Sequence, residues 1–166
     1  MDFSRLLKAI DNSIQNGTIK EKVVVQAGYT KYDCSNMEIF DYTDLNKMNE
    51  YTKKASLIIT HGGVGSILGA LILGKPVIAA ARLKKYNEHV NDHQLQIVNE
   101  FADLKYILKF DDGDNLDDII KKIKTFKFKK YEANKKNFNK LIEKYISDTK
   151  HTSYLNKIVN FFHRKK

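Results

Sequence analysis

Leu57-Ile58-Ile59-Thr60-His61-Gly62-Gly63-Val64-Gly65-Ser66 decides how this chain folds. Four apolar or β-branched residues run directly into a turn that carries glycine at three of its positions, Gly62, Gly63 and Gly65. An unbroken apolar run of that length reads as a strand buried on both faces. Past the turn, Ile67, Leu68, Ala70, Leu71, Ile72 and Leu73 continue as an apolar helix, with Ser66 placed to cap it. Gly74 then supplies a C-terminal residue tolerant of positive φ. Pro76 cannot extend the helix, and Val77-Ile78-Ala79-Ala80 begins a new strand. Strand, glycine turn, helix and strand form a βαβ unit, and its right-handed crossover implies parallel strands. The fold class is therefore α/β, a parallel sheet with helices packed on it.

Outward from this unit the pattern stays consistent. Phe3, Leu6, Leu7, Ile10 and Ile14 recur at helical steps, and Asn16-Gly17 ends that helix. Lys22-Val23-Val24-Val25-Gln26, closed by Ala27-Gly28, and Met37-Glu38-Ile39-Phe40-Asp41-Tyr42 are strand-sized. Asp44 caps a helix reaching about Lys54, with Leu45, Met48 and Tyr51 on one side. A further helix is expected from Asn91 to about Ala102, a last strand at Tyr106-Ile107-Leu108, and two or three helices between Leu116 and Phe162. Residues 1–115 form the α/β domain on this reading, and residues 116–166 a basic helical tail.

Net charge sharpens that division. The chain of 166 residues carries +9, but residues 1–115 hold 14 Lys/Arg against 15 Asp/Glu and residues 116–166 hold 15 against 5. A near-neutral body lacks the spread of Lys and Arg that binding to a phosphate backbone demands, so no nucleic-acid partner is expected. In the tail, Phe126-Lys127-Phe128-Lys129-Lys130-Tyr131 has the aromatic and basic interleaving that stacks bases, and docking on a partner subunit explains it as well. Elsewhere the tail's lysines read as a solvated face, or as an attraction for anionic headgroups or an acidic partner. Cys34 is the only cysteine, so neither an internal disulfide nor a thiolate metal cluster can form, which fits a reducing cytosol. No apolar run reaches the ~20 residues that span a bilayer, and the start at Met1-Asp2-Phe3-Ser4-Arg5 has no signal-peptide character. The expectation is a cytoplasmic chain.

The chemistry concentrates at two places. A strand that ends in glycines and feeds a helix N-terminus is an anion site, because unpaired N–H groups and the helix dipole point at the bound charge. Glycine keeps a Cβ from blocking a phosphate oxygen. Gly62, Gly63, Gly65 and Ser66 are the candidate diphosphate ligands. The alternative is a turn that only lets helix and strand pack closely. A P-loop would need a lysine where Gly65-Ser66-Ile67 has none, and a dinucleotide site would need an acid where Ala79-Ala80-Ala81-Arg82 has none. His61, leading the turn, could donate a hydrogen bond, bind phosphate or act as general acid or base; it could equally just cap the strand end.

The second place is Arg82-Leu83-Lys84-Lys85-Tyr86-Asn87-Glu88-His89-Val90-Asn91-Asp92-His93-Gln94, which leaves the carboxyl end of the next strand. In parallel α/β sheets ligands bind at that edge, so turn and cluster should face one crevice. Asn91, Asp92 and Gln94 suit sugar hydroxyls because their side chains form directional paired hydrogen bonds. A metal site from His89, Asp92 and His93 is the competing reading.

Three ordered motifs also carry a family resemblance: residues 55–66, then Gly74-Lys75-Pro76-Val77-Ile78, then Asn91-Asp92-His93-Gln94. Together they resemble the C-terminal, donor-binding half of family 28 glycosyltransferases, over about residues 3–110. The likeness is to the small single-domain exopolysaccharide and capsule subunits (PssE/CpsG-like proteins), which are similar to the catalytic subunit of the dolichol-pathway N-acetylglucosaminyltransferase. Val24-Val25-Gln26-Ala27-Gly28-Tyr29-Thr30 adds to it.

The resemblance implies a Rossmann-like half of a GT-B fold. It implies an inverting transferase that moves a sugar, such as galactose, glucuronate or N-acetylglucosamine, from a UDP donor to a lipid-diphosphate-linked acceptor. The other half would be a separate membrane-attached subunit, holding this chain peripherally at the inner face of the membrane. By the same resemblance, Gly63, Gly65 and Ser66 meet the donor diphosphate and Asn91, His93 and Gln94 lie at the donor sugar. No cofactor or metal is expected, since helix dipole and N–H groups stabilise the departing UDP. Two departures from the family pattern stand out. The strand and Gly-Thr loop that usually precede the first helix are expected to be missing, and Gly69 stands where the family often places a glutamate that grips the ribose.

Overall fold

The computed structural model describes residues 2–132. The chain divides into two units, Met1–Lys130 and Tyr131–Lys166. The tail helices expected beyond residue 132 lie outside the described residues.

The first unit runs α1 (Ser4–Gln15), β1 (Val23–Gln26), β2 (Met37–Phe40), α2 (Leu45–Lys54), β3 (Ile58–His61), α3 (Val64–Ile72), β4 (Val77–Ala80), α4 (His93–Asp103), β5 (Leu108–Lys109) and α5 (Leu116–Lys122). The strands are parallel throughout, as the crossover rule requires. They form two sheets, however: β1 pairs with β2, and β3, β4 and β5 lie in that order. One apolar core serves both. Phe3, Leu6, Leu7 and Ile10 at the α1 end meet Met37 of β2, Ile78 and Ala80 of β4, and Leu116 and Ile119 of α5, with Val23, Val25, Ile39 and Ile59 packed against them. Fully burying one such aliphatic side chain contributes about 1.5–3 kcal/mol.

The local signals act as their chemistry dictates. Asp44 caps α2, its carboxylate accepting the N–H groups of Asn46 and Lys47. Gly74, at φ +69°, closes α3 with its N–H on the Leu71 carbonyl and that of Lys75 on the Ala70 carbonyl, the paired bonds of a Schellman cap.

Several expectations need correcting. The helix after the glycine turn begins at Val64 with Gly63 at its N-cap, so Ser66 sits inside the first turn and caps nothing. Val64, Ile67, Leu68 and Leu71 form its buried face, and seating Val64 in the core draws the helix start three residues earlier. β3 is only half-buried along its length, whereas β4 is fully buried. The cause is pairing: β4 has a strand on each side and β3 on one. Helix α4 starts at His93 and leaves Asn91 and Asp92 in the preceding loop; β5 lies at Leu108–Lys109, with Tyr106 and Ile107 leading into it. α5, expected as the start of the tail, instead sets Leu116 and Ile119 in the core of the α/β unit.

Candidate functional site

The register pairs His61 with Ala80, so the glycine turn and the polar loop leave the same edge of the sheet from neighbouring strands. The two segments touch. A Cβ on Gly62 would lie 2.8 Å from Val98 Cγ2 and 2.9 Å from Gln94 Cβ, both on α4. Gly62 is therefore glycine because the turn presses on that helix. At Gly63 the neighbour is different, since a Cβ there would stand 2.5 Å from His61 Nε2.

Gly65 differs from both. It is exposed in the first turn of α3, and a Cβ there would meet nothing within 4 Å. The same holds for Gly69 one turn on. Each glycine inside a helix costs about 0.5–1 kcal/mol relative to alanine. No packing demand explains Gly65. Ser66 beside it is exposed, so the outer face of the helix N-terminus presents Gly65, the Ser66 hydroxyl and the free N–H groups of the first turn.

The polar cluster holds its own loop together. The buried Gln94 side chain accepts the Arg82 N–H at 3.1 Å. Asp92 accepts the Lys84 N–H at 2.8 Å. Asn91 Oδ1 accepts the His93 N–H at 3.3 Å and lies 3.0 Å from His89 Nδ1. His93 Nδ1 is 3.4 Å from Gln96 Oε1. Thus Gln94 meets the turn directly, while Asn91, Asp92 and His93 frame the loop and the start of α4. Among the described residues no three His, Cys, Asp or Glu side chains gather as a metal would require. Asp112-Gly113-Asp114 has the Asp-x-Asp spacing, but Asp112 takes up Lys85 and Tyr86, and Asp114 the Asp111 N–H.

Burial sets the electrostatics. His61 is pulled down to about 4, first by loss of solvent and then by the positive charges of Arg82 and His89. It is a neutral imidazole near neutral pH. Arg82 is drawn below the ordinary guanidinium value by burial, against the attraction of Glu88 and Tyr42. Glu88, itself buried, binds Arg5 of α1 through both oxygens, at 2.9 Å each, and accepts the Leu83 N–H. Arg5 Nη2 also donates to the Ala81 carbonyl at 3.0 Å. Arg5 and Glu88 were not among the expected site residues, and Arg82 was seen only as part of a polar run. Arg5 and Glu88 are 83 positions apart, and no local pattern pairs them.

A cleft of about 480 Å³ is lined by Leu83, Lys85, Asp92, Leu95, Asn99 and Asp112 among others. Of the expected site residues it includes only Asp92 and nothing of the glycine turn.

The family model described as glycosyltransferase family 28 C-terminal domain matches residues 5–149. Three curated relatives carry the name UDP-N-acetylglucosamine transferase subunit ALG13. That of Candida albicans is 32% identical over 83 residues, covering 50% of this chain and 27% of the relative. That of Debaryomyces hansenii is 25% identical over 104 residues, 63% of this chain and 46% of the relative. That of Saccharomyces cerevisiae is 36% identical over 69 residues, 41% and 31% respectively. The matches therefore span between about a quarter and a half of these relatives. No solved structure gives a significant match.

Proposed function

The chain belongs to the glycosyltransferase family 28 C-terminal domain family, and from that premise we propose that it is the donor-binding subunit of a UDP-sugar transferase. The observation that carries this reading is Gly65, a helix-weakening residue that packing does not require, set in the exposed first turn of α3. There the diphosphate meets free N–H groups and the positive end of the helix dipole. Gly63, Gly65 and Ser66 take the diphosphate, and Gln94, with Asn91, Asp92 and His93 on its loop, faces the sugar. Gly62 and Gln94 keep the two segments in register with each other. His61, neutral at working pH, serves as a hydrogen-bonding group at the turn rather than a source of positive charge.

The reaction is transfer of a hexose from UDP to a lipid-diphosphate-linked acceptor with inversion, as in exopolysaccharide or capsule assembly. Dipole and N–H groups carry the charge of the departing UDP without a metal. The relatives' designation as transferase subunits supports a heteromer. The partner is an acceptor-binding, membrane-attached chain that holds this one at the inner face of the membrane; among the described residues no helix is long and apolar enough to cross a membrane.

A second reading is favoured by Gly69, which leaves the outer face of α3 without the carboxylate expected to grip the ribose. On it the chain is a partner-binding subunit without turnover. Co-expression with the membrane-attached subunit, followed by an assay of sugar transfer from UDP-sugars to lipid-diphosphate acceptors, separates the two. Transfer that requires both chains supports the catalytic reading, and binding without transfer supports the silent one.

A further inference from the structure

Arg82 is half-buried, and its side chain makes no hydrogen bond or ion pair among the described residues. Its Nε is buried and makes no hydrogen bond. Among the described residues no carboxylate lies within ion-pair distance of its guanidinium, since Glu88 gives both oxygens to Arg5. What fixes Arg82 is different in kind: its own N–H is held by Gln94, and its guanidinium lies over the Phe3 ring at 5.3 Å from the centroid. Arg82 also stands two residues beyond Ala80, the register partner of His61, and its charge is felt at that histidine. A buried guanidinium N–H with no acceptor is costly unless an anion completes it.

We propose that Arg82 is an anion-binding residue of the crevice, whose guanidinium neutralises the diphosphate of a nucleotide bound at the glycine turn. The assignment rests on the donor-site reading and adds to it a cation that the turn itself lacks. Phe3 and Gln94 act as positioning residues, holding the guanidinium and the backbone beneath it. The planar fork suits paired phosphate oxygens, which a lysine meets only as a point charge.

The test uses the full chain and calorimetric titration with UDP and uridine, together with NMR titration of the His61 ring. Arg82→Gln is expected to weaken UDP by about tenfold or more while leaving uridine unchanged, with Arg82→Lys in between. In the free protein, Arg82→Gln is expected to raise the midpoint of His61, because a neighbouring positive charge is gone. Equal UDP affinity in wild type and Arg82→Gln overturns the proposal and leaves the donor site standing. Equal losses for UDP and uridine also overturn it, reducing Arg82 to a structural role. If Arg82→Gln does not fold, Arg82→Lys is judged by the same criterion. If the wild type binds no UDP, the donor-site reading fails first, and inorganic pyrophosphate then decides. A pyrophosphate-induced shift of His61 that is lost in Arg82→Gln and weakened in Arg82→Lys retains the anion site, and no shift removes it.

Discussion

Arg5 and Glu88 face each other fork to fork, Nε to Oε1 and Nη2 to Oε2 at 2.9 Å each, and so tie α1 to the loop that follows β4. Glu88 is only 4% exposed. Removing one member of a buried pair leaves the other charge uncompensated. Because the Arg5 side chain keeps 23% exposure, Glu88→Gln is expected to cost less than a fully buried break, about 2 kcal/mol. Urea unfolding checks this, and a loss near zero would mean the pair does not hold the loop.

Gly62 and Gly65 separate packing from function. Gly62→Ala drives a Cβ into Val98 and Gln94 and is expected to destabilise by about 1–3 kcal/mol. Gly65→Ala meets open space and is expected to leave stability unchanged or raise it by up to about 1 kcal/mol. Thermal unfolding of the two variants side by side gives the comparison.

His61 predicts a pH dependence. Its folded-state value of about 4 lies below the ordinary 6.5, so the unfolded chain takes up the proton first. Stability from this residue is complete above about pH 6.5 and is lost as pH falls toward 4. Between pH 7 and pH 5 the loss is at most about 2 kcal/mol. His61→Gln is expected to flatten that step, and identical pH profiles for the two proteins would show that His61 is not held neutral.

How legible the molecule is in its sequence depends on the range of each contact. The βαβ unit could be read from residues 57–80 because strand length, glycine, helix period and Pro76 are local signals that agree. Asp44 and Gly74 likewise act on their immediate neighbours. The helix start at Val64 could not be read from Ser66, because Val64 is drawn in by the core. The half-burial of β3 depends on which strands flank it, and an apolar run does not encode that. At the site, glycine chemistry marked the turn, but three identical residues have separate reasons: Gly62 yields to α4, Gly63 to His61, and Gly65 to no protein atom at all. The polar run around residues 82–94 was visible as a cluster, while its division into loop-holding groups and one guanidinium whose Nε lacks a hydrogen bond needed the partners, Arg5 above all. The family match continues to residue 149, past the 110 or so residues over which motifs could be recognised.

Whether the exposed first turn of α3 receives a diphosphate is measured by calorimetric titration of UDP into the full chain and into Gly65→Val, with thermal unfolding of both as a control. Saturable binding to the wild type is expected, with an upward shift of its melting temperature by mass-action linkage. Both are expected to vanish in Gly65→Val while that variant remains folded. Absence of binding to the wild type at millimolar UDP, or equal binding by Gly65→Val, would show that the diphosphate does not sit on this turn.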